Sequence, residues 1–190
     1  MGRPATIDRA GVLAAALALA DEHGLDALTM GAVADRLGVT PMALYRHVAN
    51  KADLLDGVVE LLLTEFPPPP PELSWAQRLS TLAGNIRASA QRHPSVFPLL
   101  LGRPATTTEA RRTRDGVYEA LEVAGVPPDR VAQVERLVST AILGFAVSEV
   151  AGRFRIHSRR QLDADFEVLQ TLLGRFIESE VSGQQHATKS

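Results

Sequence analysis

An all-α fold of about nine helices is what this sequence predicts, and two observations carry that expectation. Apolar residues recur at three- and four-residue spacing along most of the chain, and no segment alternates convincingly enough to read as a strand. Glycine, proline and capping residues fall between these periodic segments rather than inside them. The 190 residues, 45% hydrophobic and 22% charged, contain enough apolar material for a real core.

The first sixty residues divide into four short helices. Thr6 is placed to cap a helix reaching Glu22 or His23, with Val12, Leu13, Ala16, Leu17 and Ala20 on one face and Gly24 as its left-handed stop. Thr29 caps a second, with Met30, Val33, Ala34 and Leu37 as its stripe and Gly38 at its end. Thr40 caps a third, Pro41 occupies its first turn, and Leu44 and Val48 share a face before it ends near Ala49. Asn50, with Asp53 three residues on, resembles a capping box opening a fourth helix with Leu54, Leu55, Val58, Leu61 and Leu62.

Five consecutive prolines, Pro67 to Pro71, cannot continue a helix and mark the expected boundary. A stiff connector is the reading adopted for them; a ligand for an SH3-type groove is the alternative. Beyond them, helices are expected over Ser74–Arg92, Ser95–Leu101, Thr108–Ala124, Asp129–Gly152 and Leu162–Ser179. The expected organisation is a first domain over residues 1–66, a linker over 67–71, a second domain over 72–182 and a disordered polar tail over 183–190.

Several function classes are set aside by composition. No cysteine is present, so a disulfide framework, a thiolate metal site and a catalytic thiol are excluded, and the cytoplasm is the default compartment. The charge-free stretches from Ala10 to Ala20 and from Leu137 to Ser148 fall short of the ~18 to 20 apolar residues that cross a bilayer, so no membrane partner is expected. Arg3 and Arg9 before the first of these imitate a signal peptide, but Asp8 interrupts the basic start and the run is mostly alanine. His93 and His157 lack a second ligand at helical spacing, so no metal is expected. With no Ser-His-Asp grouping, paired carboxylate or glycine-rich phosphate loop, no catalytic residue is assigned and no enzyme is expected.

Net charge is −2, and residues 1–51 carry five basic and five acidic side chains, so bulk charge does not announce a nucleic-acid partner. Local arrangement does. Two short helices joined at Gly38 by a turn of about three residues have the helix-turn-helix pattern, whose second helix fits a DNA major groove. Tight turns between helices also occur in any all-α core, so the residues opposite Leu44 and Val48 matter more. There, Arg46 can reach guanine edges or phosphate, Thr40 can donate to phosphate, and Met42 and Ala43 can lie against a thymine methyl. Tyr45 and Lys51 flank the helix and suit the phosphate backbone, although Tyr45 reads equally as a half-buried ring with its hydroxyl in water.

The stretch from Leu25 to Leu55 strongly resembles the DNA-binding domain of the TetR family of transcriptional repressors. Its Leu37-Gly38-Val39, Ala43-Leu44-Tyr45-Arg46-His47-Val48 and Asn50-Lys51-Ala52-Asp53-Leu54-Leu55 segments carry the likeness. Members are all-helical dimers that release DNA when a small molecule binds the C-terminal domain. The resemblance implies phosphate contacts from Thr29, Thr40, Tyr45, His47 and Lys51, and base contacts from Pro41, Met42, Ala43 and Arg46 of a double-stranded, palindromic operator.

The second half resembles the C-terminal domain of the tetracycline-repressor branch in Trp75, Arg92-His93-Pro94, Arg103-Pro104 and the Leu137–Val150 segment with Gly144-Phe145. It departs from that branch where the magnesium-ligating histidine would stand, having Leu99-Leu100-Leu101, and at the polar drug contacts, having Leu82 and Ile86. Tetracycline with magnesium is therefore not expected, no cofactor is implied, and the effector should be small and mainly apolar. Leu82, Ile86, Phe97, Leu101, Tyr118, Leu121 and Phe145 are the expected lining, with Arg103 and Tyr118 fixing one polar end. The last two helices carry more apolar surface than one bundle face needs, so Val134, Val138, Ile142, Phe166, Leu169 and Leu173 are assigned to a homodimer interface. The competing reading is that these residues form only the core of one chain.

Overall fold

The computed structural model describes residues 7–102 and 108–187, with side chains at 109 and 183–187 left out. The described residues form α1 (Arg9–His23), a 3-10 turn (Leu25–Ala27), α2 (Met30–Leu37), α3 (Pro41–Leu44), α4 (Lys51–Leu63), α5 (Trp75–Arg92), α6 (Leu99–Gly102), α7 (Thr108–Ala124), α8 (Pro128–Val150) and α9 (Arg159–Ala187), with no strand among them. The all-α expectation is met.

Local chemistry sets the helix ends. Asp8 caps α1, its carboxylate accepting from the Gly11 amide at 2.8 Å; the expected cap Thr6 lies outside the described residues. Thr29 caps α2 as expected, accepting from the Ala32 amide at 3.1 Å. Gly38 ends α2 at φ 66°, and the Val39 amide bonds back to the Ala34 carbonyl, the six-to-one closure of a Schellman turn. Side-chain geometry departs from expectation at Thr40, which stands at the N-cap of α3 but makes no side-chain cap bond. Ser74 and Gln77 form a reciprocal capping pair at the start of α5, with the Ser74 amide donating to Gln77 Oε1 at 3.1 Å and the Gln77 amide to Ser74 Oγ at 3.3 Å.

The chain divides into two compact units, one comprising the chain through Thr64 together with the segment from His93, the other Glu65–Arg92 and the chain from α7 onward. In the first unit, Val12, Ala16 and Ala20 of α1 pack with Leu28, Val33, Ala34, Leu44, Val48, Leu54, Val58 and Leu62 in one buried core. α1 and α4 approach so closely that a Cβ at Gly57 would lie 2.5 Å from Leu13 Cδ2. Val96 also enters this core, so the segment after α5, expected in the second domain, packs with the first. His93 and Asp21 pair at 2.7 Å between that segment and α1.

In the second unit α5 packs on α7 and α8, and α9 lies against α5, α7 and α8. The prolines belong to this unit rather than standing apart as a free connector. Pro69 is buried, and Pro68 lies against α7, where a Cβ at Gly116 would meet its Cβ at 3.0 Å. α8 is long and apolar enough by composition to cross a membrane. Its apolarity has a nearer cause, because Val131, Val134, Val138, Ile142 and Ala146 form a stripe buried within the chain. α9 runs to Ala187, five residues into the segment expected as a disordered tail; residues 188–190 lie outside the described residues.

Candidate functional site

The exposed surface of α3 is built from its two buried residues outward. Leu44 and Val48 are fully enclosed in the first unit's core and turn the rest of the segment to solvent. Only Pro41–Leu44 is regular helix; the chain continues as a turn through His47, with the His47 and Val48 amides both bonding to the Leu44 carbonyl. The helix expected to reach Ala49 is therefore one turn plus a tightened second turn. The cause lies beyond it.

Asp53 and Arg9 pin the exit of that second turn. The Asp53 carboxylate accepts from the Ala49 amide at 2.7 Å and from Arg9 Nη2 at 2.8 Å, while Arg9 Nη1 donates to the His47 carbonyl at 2.7 Å. The capping box foreseen at Asn50 exists in part. Asn50 Oδ1 accepts from the Asp53 amide at 3.0 Å, but Asp53 reaches back to residue 49 instead of 50. The Arg9 hydrogen bond, followed by that of the Ala49 amide, holds the Asp53 carboxyl below the usual carboxylate range. Sequence reasoning assigned Arg9 no role, because 44 residues separate it from its carboxylate and no local pattern signals the pair.

Ion pairing also explains how a head with no excess of basic side chains can leave cations open on one face. Arg36 is bound bidentately to Glu22 at 2.6 and 2.7 Å, and Arg9 is committed to Asp53. Arg46 and Lys51 are exposed, and neither has a carboxylate partner among the described residues. Beside them Met42 is 74% and Tyr45 50% exposed, large apolar groups with no cover in the chain. Thr40 and Pro41 are exposed and Ala43 and His47 partly so. Thr29 is exposed as well, with its hydroxyl oxygen engaged in the α2 cap.

The expected effector residues are not gathered in one place. Leu82, Ile86, Tyr118, Leu121 and Phe145 belong to the second unit, Phe97 and Leu101 to the first, and Arg103 lies outside the described residues. Leu82, Phe97 and Leu121 are buried, whereas Leu101 is exposed. The second unit does contain a shallow apolar recess between α5, α8 and α9, with about 70 Å³ of enclosed space. Trp75, Leu79 and Ala83 of α5, Val138 and Ile142 of α8, and Leu173 and Ile177 of α9 line it, none of them among the eight expected residues.

A polar tie joins the same three helices. Arg87 of α5 is bidentate to Glu149 of α8 at 2.6 and 2.8 Å and pairs with Asp163 of α9 at 2.9 Å, its guanidinium lying 4.9 Å from the Phe166 ring centroid.

Burial also corrects the expected dimer residues. Val134, Val138, Ile142 and Phe166 are buried within the single chain, and Leu169 and Leu173 pack against the Ala83, Ile142 and Phe166 core. Those stripes of α8 and α9 face inward, and the large apolar residues left exposed on the two helices are Leu137, Val168 and Leu172. Among the described residues no group of three or more His, Cys, Asp or Glu could hold a metal ion.

Comparison with known proteins places this architecture. Residues 12–58 match the profile of bacterial regulatory proteins of the tetR family, and residues 67–178 that of the tetracyclin repressor-like C-terminal domain. The chain belongs to the TetR family. It is 28% identical over 163 residues, 85% of this chain and 60% of the relative, to the HTH-type transcriptional repressor DrrR1 of Streptomyces coeruleorubidus. The chain thus spans about 60% of the length of the curated relatives it matches first. The fold superposes on ActR of Streptomyces coelicolor, solved in complex with (S)-DNPA, with a TM-score of 0.80 at 23% identity over 93% of this chain and 100% of that one. It superposes on BioQ, solved with its double-stranded DNA operator, with a TM-score of 0.73 at 29% identity over 88% of this chain and 98% of that one.

Proposed function

We propose that the protein is a cytoplasmic transcriptional repressor that binds a palindromic DNA operator as a homodimer and is released by a small, mainly apolar effector. The observation that carries the DNA reading is the segregation of cations in the head. Its described arginines away from α3 are neutralised by ion pairs, while Arg46 and Lys51 are left open beside exposed Met42 and Tyr45. Arg46 suits a guanine edge, Met42 and Ala43 a thymine methyl, and Thr40, Tyr45, His47 and Lys51 the phosphates. Thr40 has its hydroxyl free of any capping bond, which favours a phosphate role. In this reading exposed Thr29 serves the same phosphate face, and Pro41, exposed at the first turn of α3, serves the bases.

A dimer supplies the second recognition helix, and TetR-family proteins are dimeric. The exposed Leu137, Val168 and Leu172 are the surface proposed for it. The effector reading is supported by the apolar recess of the second unit. Gel shifts of genomic fragments with competitor DNA test the proposal: specific retention is expected, and no retained fragment at moderate salt would end it.

A further inference from the structure

We infer that the turn between α8 and α9, which carries Arg153, Arg155, Arg159 and Arg160, is a second DNA-binding site that takes backbone phosphates of the duplex without reading its sequence. This role rests on the DNA reading above and adds to it a contact surface outside α3.

The chain from Arg153 to Arg160 holds four arginines and no carboxylate. All four arginines are exposed, and none has a carboxylate partner among the described residues. The acidic side chains that flank the turn are already taken, because Glu149 and Asp163 both bind Arg87. Elsewhere in the second unit Arg78, Arg92 and Arg130 each hold a carboxylate at 2.5 to 2.8 Å, an arrangement these four lack.

The turn is tied down along its length. Gly152, at φ 76°, closes α8, and the Arg153 amide bonds back to the Ser148 carbonyl at 3.0 Å. The His157 amide donates to the Phe154 carbonyl at 2.9 Å, and the Phe154 ring lies 5.6 Å from that of Phe145. Arg159 Nη2 donates to Gln91 Oε1 of α5 at 3.0 Å, two residues before the chain enters the first unit at His93. Ser158 caps α9, accepting from the Gln161 amide at 3.3 Å, so Arg159 and Arg160 occupy the first helical turn. That placement opposes folding, since the helix dipole disfavours cations there and no acidic residue stands in that turn to offset them. A bound anion offsets the repulsion.

Phosphate is the anion these groups fit. The guanidinium fork binds phosphate oxygens bidentately, and a duplex held by α3 supplies phosphates at high effective concentration to any second contact on the same chain. Of the residues in the turn, Ile156 exposes a large apolar side chain, at 86%, which alone is little apolar area for holding an anionic bilayer.

The experiment measures binding of the full-length protein to a retained genomic fragment and to an unrelated duplex of the same length across a salt series. The variant combines Arg153→Gln, Arg155→Gln and Arg160→Gln, which leaves Arg159 on Gln91, and its helical content and sedimentation should match the wild type. Affinity should fall about tenfold on both duplexes at about 100 mM salt, the salt dependence should flatten by roughly one unit for each arginine that meets a phosphate, and the preference for the retained fragment should persist. Lysine at the same three positions should restore the salt dependence, since it keeps the charge.

Unchanged affinity and salt dependence in the glutamine variant would overturn the inference, as would a loss that lysine does not restore. Binding to vesicles of phosphatidylglycerol and phosphatidylcholine that the variant loses while its DNA binding stays intact would overturn it too. Should the wild type prefer no genomic fragment yet bind both duplexes with a salt dependence that the variant flattens, the operator reading falls and the phosphate site stands. Should Arg46→Ala relax base preference while the glutamine variant behaves as wild type, the operator reading stands and the site falls.

Discussion

Arg46 and Lys51 are both exposed with no carboxylate partner among the described residues, but should fail differently when removed. In the proposed role Lys51→Ala would delete a phosphate contact, so affinity should fall alike on every sequence and the salt dependence should flatten by about 1 unit, as binding isotherms at several salt concentrations would show. Arg46→Ala should relax specificity at one base-pair position at a cost of about 1 to 3 kcal/mol, measured on operator variants. Asp53 acts through geometry. Its lowered pKa stabilises the head at pH values above the ordinary carboxylate range, and that contribution is lost as pH falls through the lowered value, below about pH 4. Asp53→Asn should therefore cost about 1 kcal/mol near neutral pH and flatten the acid limb of the stability profile, a difference thermal melts across pH would reveal. Residues whose role depends on near neighbours were legible in the sequence, as with Thr29 at its cap and Gly38 at its turn. Arg9 was not, since its partner is distant in the chain. The unused Thr40 hydroxyl was not either, since a capping residue type does not guarantee a capping bond.

Among the elements, the number and order of helices followed from periodicity and punctuation, while their lengths followed from tertiary contacts. α3 is shorter than Leu44 and Val48 alone imply because Arg9 and Asp53 seize its exit. The stripes of α8 and α9 marked which residues are apolar without saying what covers them, so inward residues were assigned to an interface and outward Leu137, Val168 and Leu172 were not. The expected ligand residues failed to converge for a related reason: helical spacing fixes a face within one helix, whereas a recess depends on how several helices meet. The tie between α5, α8 and α9 gives a prediction at this scale. Arg87 and Glu149 are both about 10% exposed, so Glu149→Ala leaves the guanidinium largely buried with Asp163 as its remaining carboxylate partner. A loss of about 3 kcal/mol in chemical denaturation is expected, and Arg87→Met combined with Glu149→Leu should cost less than the single change.

For the molecule as a whole, on the proposed reading a single head would read too few base pairs for useful specificity, and two-fold pairing would place a second α3 a multiple of ~34 to 36 Å along the site. Leu172→Asp puts a charge on the outward face of α9 without touching the inward core, so it should yield a folded ~20 kDa species by sedimentation that no longer binds a palindrome tightly. Buried Phe166 makes a poor test of the same interface, because Phe166→Asp would damage the core of each chain. The most direct measurement of the central claim is a footprint of the wild-type protein on a retained genomic fragment, repeated with Arg46→Ala and Leu172→Asp. Two protected half-sites related by a dyad, with base preference relaxed by the first variant and the paired footprint lost in the second, is the predicted result. A single unpaired footprint, or one indifferent to Arg46, would contradict it.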